Sequence, residues 1–473
     1  MNTSDQNNRD IFDVAIVGAG VSGSFIAMEL TKAGRSCVMI EAGIHYDRHS
    51  YPRHEGEANA RLFWSGGVEL NTDANLALLR PKVVGGGSIV NQALIDRFED
   101  DAWQSWEEKT GISWCRPDTM EPFYQKASKE LVVQKVPETS WNENVRLFQR
   151  GFDSCGFKWA PLKRAQDDCA YEQGTDCIEC LSGCRRDSKQ SMPVTTLRKA
   201  IAAGLVLWDR TEVTGIYESG EYISMQMETP HGRKSIEVKQ LVLAAGAIGN
   251  SALLLKSGYK TSLPALGEGF YTHPQEMVFG LYDRKIDAFK GGFQALKSDD
   301  PEFRRQGFKL ENIFAPPASL AMLFSGWGDK HRRLMRNIPY FGCLEVAVRD
   351  TNPGRIIVDR RGKPLVEKVL NKEDHDRRKR GLNAIEKILM STGASDIIYG
   401  EFMIGLHLMG GCSLGSDRSK SVVGPDFRLH GSKKIFIADS SVFPDAPGIN
   451  PSFTIMAMSL RASESILSEA QGG

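Results

Sequence analysis

The stretch Val14-Ala-Ile-Val-Gly-Ala-Gly-Val-Ser-Gly23 decides the fold of this chain. It predicts a short apolar strand that turns, through Gly18, Gly20 and Gly23, into a helix whose apolar pattern continues over 25–30. Glycines at this spacing allow a tight turn and let a pyrophosphate approach the amides at the helix N-terminus. The stretch therefore predicts an α/β unit that binds a dinucleotide.

A second apolar stretch, Cys37-Val-Met-Ile40, is expected to form the next strand of this unit. It is followed by Glu41, 23 residues after Gly18, where a carboxylate can accept hydrogen bonds from an adenosine ribose and disfavours a 2′-phosphate. Runs at 205–207 and 240–250 also predict strands, and the second turns into a helix expected over 251–255.

Composition and charge narrow the class of protein. The 473 residues are 41% hydrophobic and 25% charged, which is typical of a globular chain long enough for two domains. Lys plus Arg and Asp plus Glu both total 59, so no overall charge favours nucleic acid or an anionic membrane as a partner. The start is polar and no apolar run approaches a membrane span. We expect a soluble, cytoplasmic protein, with export on a partner's signal left open.

Two C-terminal segments carry residues suited to redox chemistry. His407 lies in Gly405-Leu-His-Leu-Met-Gly-Gly-Cys-Ser-Leu-Gly415, and Asn450 lies in Gly448-Ile-Asn-Pro-Ser-Phe-Thr454. An imidazole can take a hydroxyl proton near neutral pH, while an amide can bind the same oxygen without competing for that proton. Pro451 predicts the first turn of a helix, whose N-terminus would lie beside Asn450. The alternative is a core histidine and a helix-capping asparagine.

Motifs along nearly the whole chain resemble those of the glucose-methanol-choline (GMC) family of FAD-dependent oxidoreductases. Besides the two C-terminal segments, they are Gly18–Gly23 with Glu41, Gly85-Gly-Gly-Ser-x-x-Asn91, Ala244-Ala-Gly-Ala-Ile-Gly-Asn250, Gly269-Phe-Tyr-Thr-His-Pro274 and Arg349-Asp-x-x-x-Gly354. The resemblance implies an α/β fold, with a Rossmann-like FAD-binding domain and an inserted α+β substrate domain. The implied ranges are 10–60, 80–110, 186–275 and 406–473 for FAD binding, 111–185 for a cysteine-containing insertion, and 276–405 for the substrate-binding domain.

The same resemblance implies an activity. The chain would oxidise a CH–OH group of an alcohol, sugar or sterol by hydride transfer to flavin N5, with His407 as the base and Asn450 orienting the substrate. The helix beside Asn450 would face the pyrimidine edge of the flavin and stabilise its reduced ring. Two other classes remain: a redox-silent lyase of the same family, and an accessory flavoprotein that binds a partner without turnover. The choice between oxidase and dehydrogenase stays open.

FAD contacts are also implied by the resemblance. They are expected at Gly18, Gly20, Val21, Ser22, Gly23, Glu41, Ala42, Gly86, Gly87, Ser88, Asn91, Val213, Ala245, Gly246, Asp439, Asn450, Pro451 and Thr454. Some relatives bond the flavin covalently through a histidine where this chain has Val90, so non-covalent FAD is predicted. Asp439 is expected to bond the phosphoribityl chain or to cap a helix. His273 is expected near the cofactor or in a purely structural role.

Four of the nine cysteines lie close together, at 169, 177, 180 and 184. In a chain without a secretion signal, disulfides are less expected than metal or cluster ligation. Some sugar dehydrogenases of the family hold an iron–sulfur cluster in such an insertion, whereas alcohol oxidases with a similar Gly-Cys-x-x-x-x-Lys-Gln-Ser stretch need no metal. Cys177, Cys180 and Cys184 are therefore candidate cluster or zinc ligands, and packed thiols are the interpretation we prefer.

Charge is unevenly distributed, since 301–380 contains 18 Lys and Arg against 10 Asp and Glu. This surplus is typical of a solvated helix face. The alternative is a docking face for a small subunit or an electron-acceptor protein.

Overall fold

A computed structural model of the protein describes residues 11–169, 177–292 and 294–468, the side chains of 177–179 excepted. In chain order its strands are β1 (Val14–Val17), β2 (Cys37–Ile40), β3 (Glu69–Leu70), β4 (Leu76–Leu78), β5 (Val133–Lys135), β6 (Trp159–Pro161), β7 (Lys163–Ala165), β8 (Val206–Trp208), β9 (Glu212–Ser219), β10 (Tyr222–Thr229), β11 (Gly232–Val238), β12 (Gln240–Leu243), β13 (Glu268–Phe270), β14 (Pro274–Leu281), β15 (Leu296–Ser298), β16 (Phe308–Asn312), β17 (Phe341–Val348), β18 (Gly354–Val358), β19 (Pro364–Glu367), β20 (Asp396–Tyr399), β21 (Met403–Gly405) and β22 (Ile435–Ile437).

The helices connect these strands and cover their sheets. They are α1 (Val21–Lys32), α2 (Glu55–Leu62), α3 (Gly87–Val90), α4 (Asp100–Thr110), α5 (Pro117–Ser128), α6 (Glu143–Cys155), α7 (Thr196–Ala202), α8 (Gly246–Lys256), α9 (Pro301–Arg305), α10 (Pro317–Leu323), α11 (Gly328–Arg336), α12 (Lys372–Ser391) and α13 (Ser452–Ser468). Short 3-10 turns lie at Trp64–Gly67, Glu138–Ser140, Cys177–Ser182, Tyr259–Thr261, Ile338–Tyr340 and Ser440–Val442.

A parallel sheet with the strand order β22-β12-β1-β2-β8 forms the first part of the fold. The strands β1, β2 and β22 are buried along their whole length, as expected for a parallel sheet covered on both faces. Helices α1, α7 and α13 pack together, and the antiparallel sheet β11-β10-β9 shares the same apolar core. The predicted Rossmann-like α/β class is confirmed.

Helix α8 begins at Gly246, five residues before the helix start expected at 251. Apolar periodicity did not predict this turn, because the residues of the motif are small. Gly246 has φ +76°, and its N–H donates to the Asp439 carboxylate at 2.7 Å. A contact across the sheet therefore sets the start of this helix.

A larger mixed sheet forms the second part of the fold, with the strand order β3-β4-β21-β14-β17-β16-β15-β6 and with β20 also paired to β14. Helices α6 and α12 cover its outer face. Strands β3, β4 and β6 lie outside 276–405, so this sheet collects strands from several parts of the chain. Its inner face is turned toward the parallel sheet and forms one wall of a cavity.

Within the described ranges, none of the helices combines the length and the apolar character that a membrane crossing requires.

Candidate active site

A cavity of about 1090 Å³ extends from the glycine turn after β1 to the inner face of the large sheet. Most of the residues expected to contact cofactor or substrate line it. They are Gly18, Gly20, Val21, Ser22, Glu41, Ala42, Gly86, Gly87, Asn91, Val213, Ala245, Gly246, His407, Asp439, Asn450 and Pro451. The fold therefore brings to one space residues that are spread over the whole chain.

Three expected contact residues do not line this cavity. Gly23 packs α1 onto β1, because a Cβ there would lie 2.1 Å from the Gly18 carbonyl oxygen. The Ser88 hydroxyl donates to the Gly85 carbonyl at 2.6 Å, and Thr454 shares a 2.6 Å hydrogen bond with Tyr124. In this structure these three residues make contacts within the protein and do not face the cavity.

Two glycine-rich turns meet at the end of the cavity nearest α1. Gly18 has φ +104°, and a Cβ there would lie 2.3 Å from the Ala244 oxygen. Gly86 has φ +53°, and a Cβ there would lie 2.8 Å from the Gly20 Cα. Beside them, the buried Ser22 hydroxyl finds no hydrogen-bond partner within the described part of the chain. Bare backbone, a helix N-terminus and a free hydroxyl donor together fit a dinucleotide pyrophosphate.

Glu41 lines the cavity at the end of β2. Its carboxylate accepts the N–H of Ala19 at 2.9 Å and the N–H of Gly43 at 2.8 Å. Burial raises the pKa of Glu41 despite these bonds. The two amides hold the side chain in place, and its remaining lone pairs can still accept a ribose hydroxyl.

The Asp439 carboxylate caps two helical segments beside the cavity, the start of α8 and the 3-10 turn at Ser440–Val442. One carboxylate oxygen accepts from the Gly246 N–H and from the Asn250 amide at 2.9 Å, and the other accepts from the Ser441 N–H at 2.9 Å and from its hydroxyl at 2.6 Å. Burial raises the pKa of Asp439. The capping interpretation of Asp439 therefore has direct contacts, while its place in the cavity wall leaves the cofactor contact a prediction.

His407 lies against a second histidine at the far end of the cavity. The Nδ1 atoms of His273 and His407 are 2.9 Å apart, and the Nε2 atom of His273 accepts the N–H of Gly448 at 2.9 Å. His273 is buried, whereas the ring of His407 is half-buried and borders the cavity. His273 thus supports the ring of His407 from behind.

These contacts determine where the protons lie. A backbone N–H only donates, so His273 Nε2 must carry a lone pair and the neutral ring must hold its proton on Nδ1. That proton is donated to His407 Nδ1, which places the His407 proton on Nε2. In this resting arrangement His407 presents an N–H donor to the cavity.

Both rings stay neutral. Burial, reinforced by the positive charge of Lys309, lowers the pKa of His407 to about 3. Burial also lowers the pKa of His273 well below its usual range, and its neighbour His407 adds to the effect. An imidazolium is therefore disfavoured at this end of the cavity at neutral pH.

Asn450 is oriented by a buried lysine. The Lys309 ammonium donates to Asn450 Oδ1 at 2.5 Å. Because an ammonium has no lone pair, the oxygen of the amide must face Lys309 and the NH₂ group is left for other partners. Helix α13 begins at Ser452, just after Pro451, so its positive end also borders the cavity beside Asn450.

The sequence interpretation missed the residues that surround Lys309. Lys309 also pairs with Asp96 at 3.3 Å and with Glu311, and Lys297 pairs with Asp96. The two lysines outweigh the effect of burial and lower the pKa of Asp96 to about 2. A signal was present, because Phe308-Lys-Leu-Glu-Asn312 alternates charged and apolar residues within a strand.

The cysteine segment packs beside the glycine-rich loop. The buried Lys189 donates to the carbonyls of Ile89, of Asn91 at 3.0 Å and of Cys180 at 2.5 Å. A hydrogen bond with Cys180, together with burial, raises the pKa of the Cys184 thiol. No group of three or more His, Cys, Asp or Glu side chains that could hold a metal was found in the described part of the chain, and the side chain of Cys177 lies outside it.

Comparison with protein-family models agrees with this geometry. The model described as GMC oxidoreductase matches in two parts, an N-terminal one over residues 59–275 and a C-terminal one over residues 358–459. The chain belongs to the GMC oxidoreductase family. The two matched parts include the Gly86 loop, His407 and Asn450, so the family membership covers both ends of the cavity.

Curated relatives of this GMC oxidoreductase align over almost its whole length. An uncharacterised GMC-type oxidoreductase of Mycobacterium tuberculosis is 26% identical over 97% of this chain and 76% of the relative. A long-chain-alcohol oxidase of Arabidopsis thaliana is 25% identical over 94% of this chain and 67% of the relative. A cholesterol oxidase of Mycobacterium tuberculosis is 24% identical over 95% and 90% of the two chains.

Solved structures of similar fold include a pyridoxine 4-oxidase from Mesorbium loti, with a TM-score of 0.74 and 16% identity over 97% of this chain and 99% of the other. A formate oxidase gives a TM-score of 0.74 and 15% identity over 98% and 99% of the two chains. At these identities the likeness concerns the fold. It places the GMC oxidoreductase described here among chains of the same architecture.

Proposed function

We propose that this GMC oxidoreductase binds FAD without a covalent link and oxidises the CH–OH group of a small-molecule alcohol. The observation that carries the proposal is a single cavity with a dinucleotide cradle at one end and the His407–Asn450 pair at the other. The alcohol oxidase and cholesterol oxidase among the relatives support a CH–OH substrate.

The cavity walls suit each part of such a cofactor. Glu41 would accept a hydroxyl of the adenosine ribose, and the Gly20 and Gly86 turns with Ser22 would hold the pyrophosphate. The N-terminus of α13, beside Asn450, would place a positive pole near the ring. Val90 borders the cavity without a ring nitrogen that could bond covalently to the flavin. When bound, the flavin supplies the acceptor for the substrate's hydride.

His407 and Asn450 would hold the substrate oxygen. The amide NH₂ of Asn450 is free to donate to this oxygen because Lys309 occupies its Oδ1. In the resting tautomer His407 Nε2–H is a second donor. Two donors aimed at one oxygen favour alkoxide character as the hydroxyl proton leaves.

His407 would also take the hydroxyl proton, which requires the other tautomer. Both rings must change tautomer: the shared proton passes to His407 Nδ1, His407 releases the proton on Nε2 so that this nitrogen has a lone pair for the substrate, and His273 takes up one proton on Nε2. His273 then carries its proton on Nε2, facing the Gly448 N–H, and a buried donor left unpaired costs about 1–3 kcal/mol. The base form of His407 is therefore the minor form, and substrate must stabilise it.

Anaerobic mixing of the FAD-loaded protein with a panel of primary and secondary alcohols tests the proposal. We expect at least one alcohol to bleach the flavin absorbance, and mild denaturation to release intact FAD. A lyase would consume its substrate with the flavin still oxidised, and an accessory flavoprotein would do neither. Flavin that stays on the polypeptide through acid precipitation would contradict non-covalent binding.

A further inference from the structure

The inner face of the large sheet carries two facing glutamates. Glu311 on β16 and Glu345 on β17 are directly opposite each other in the strand register, and both border the cavity. Each is buried, with 4% of Glu311 and 2% of Glu345 exposed. Two carboxyl groups opposite each other in a buried wall are costly unless something compensates their charge.

Glu311 is compensated within the wall. It pairs with Lys309 and accepts from the Gln294 amide at 2.6 Å. For Glu345, the described residues provide neither an ion-pair nor a hydrogen-bond partner to its carboxyl. Burial raises the pKa of Glu345 well above its usual range, and the charge of Glu311 adds to this effect.

A second acceptor beside Glu345 also lacks a partner. Gln275 is 4% exposed and borders the cavity, and its Oε1 atom has no hydrogen-bond partner among the described residues. Gln275 and Met277 lie on the same face of β14, and Met277 is opposite Glu345. The wall therefore presents two unused acceptors, one of them a carboxyl group, to the same part of the cavity.

The charge of this wall depends on the proton of Glu345. Asp96 and Glu311 are balanced by Lys297 and Lys309, which they already hold. Ionisation of Glu345 would therefore add one negative charge that faces the cavity, with no ion-pair partner among the described residues. A ligand that brings one positive charge and several N–H donors would stabilise the ionised carboxylate, whereas a neutral hydroxyl could bond to the carboxyl group without balancing a charge.

We propose that Glu345 and Gln275 form a subsite for the protonated amine of the substrate, so that the alcohol oxidised is an amino alcohol. This inference rests on the proposed function for its alcohol part, but the ammonium subsite can be tested without it. The ammonium would donate to Glu345 and to Gln275 Oε1, and Glu311 would add to the field that holds it.

Strand register indicates how far the amine lies from the reacting carbon. Lys309, which touches Asn450, is two residues before Glu311 on β16, and Glu311 is opposite Glu345. The Lys309 ammonium bridges Asn450 and Glu311, so their two oxygens lie within ~6 Å, and residues opposite each other on neighbouring strands are a further ~5 Å apart. An alkyl spacer of several carbons therefore fits between the oxygen held at Asn450 and the ammonium held at Glu345.

The binding test uses hexylamine, which carries the ammonium but no hydroxyl, and the neutral hexanamide as its control. Calorimetric titration of the FAD-loaded protein should give a Kd for hexylamine roughly tenfold or more below that for hexanamide, the scale of a charged hydrogen bond. Glu345→Gln should remove this preference, and Gln275→Leu should weaken it. Glu276→Gln is the matched control, because Glu276 lies on the outer face and pairs with Arg378.

The activity test compares aminopentanol with hexanol and pentanediol in anaerobic flavin reduction. Aminopentanol should be favoured in the wild type and lose its advantage in Glu345→Gln. Equal binding of hexylamine and hexanamide, or a preference that survives in Glu345→Gln, would overturn the subsite. If pentanediol reacted as well as aminopentanol, the subsite would bind a neutral hydroxyl group rather than an ammonium, and the proposal would be wrong. Tight hexylamine binding without flavin reduction by any alcohol would leave the subsite standing and contradict the proposed function.

Discussion

The Nδ1 atoms of His273 and His407 face each other at 2.9 Å, so one proton lies between two rings that are 134 residues apart in sequence. The Gly448 N–H on the far side of His273 decides which ring holds that proton. This pair links the backbone before α13 to the proton that faces the substrate.

Removal of the His407 ring should slow flavin reduction. We expect His407→Ala to lower the rate by roughly 10²-fold or more, the usual scale for a lost general base, with FAD still bound. Asn450→Ala should slow the rate less, because it removes an orienting donor only. Anaerobic stopped flow with a true substrate measures both rates. A His407→Ala variant that reduces at the wild-type rate would place the base elsewhere.

Replacement of His273 should reveal a positioning role. His273→Phe leaves His407 Nδ1 without a partner, whereas His273→Gln can accept from a protonated Nδ1 and so favours the base tautomer. We expect His273→Gln to reduce its flavin roughly tenfold faster than His273→Phe, about the worth of one hydrogen bond. Equal rates in the two variants at equal FAD content would assign His273 a packing role alone.

Flavin reduction should be insensitive to acid down to about pH 5. The pKa of His407, lowered to about 3, keeps the ring neutral far below the ordinary histidine value of about 6.5. A base with an ordinary pKa would lose tenfold in rate per unit below that value. The same pKa shift makes the stability of the folded chain depend on pH. Below about pH 6.5 the unfolded chain takes up the proton while the folded chain does not, so stability present above about pH 6.5 is lost as the pH falls toward 3. Rates and melting temperatures between pH 8 and 5 test both statements.

Lys309 should be essential for folding as well as for the site. Lys309→Met leaves Asp96 with one partner and Glu311 without its cation, and breaking a buried pair typically costs about 3–5 kcal/mol. Lys372→Met is the control, because its pair with Asp376 is exposed and screened by solvent and therefore contributes little to stability. Thermal unfolding compares the two, and similar melting temperatures would contradict the assigned role of Lys309.

The sequence by itself determined the parts of this protein that depend on local pattern. The strand, glycine turn and helix after Val14 follow from apolar periodicity and from the freedom of glycine at positive φ, and the structure places them as predicted. The segments of His407 and Asn450 were identified because an imidazole suits proton transfer and an amide suits binding of the same oxygen. The start of α12 is also local, because the Asn371 side chain accepts the N–H of Asp374 and caps the helix that begins at Lys372.

Tertiary structure alone decided how these residues are oriented and what faces them. Lys309 and Asn450 are 141 residues apart, and their contact determines which end of the amide is free. In the sequence, Glu345 is a single charged residue within an apolar strand. Only the strand register places it opposite Glu311 in the cavity wall. Donor direction, tautomer and charge balance depend on partners brought together by folding, and local periodicity carries no information about such partners.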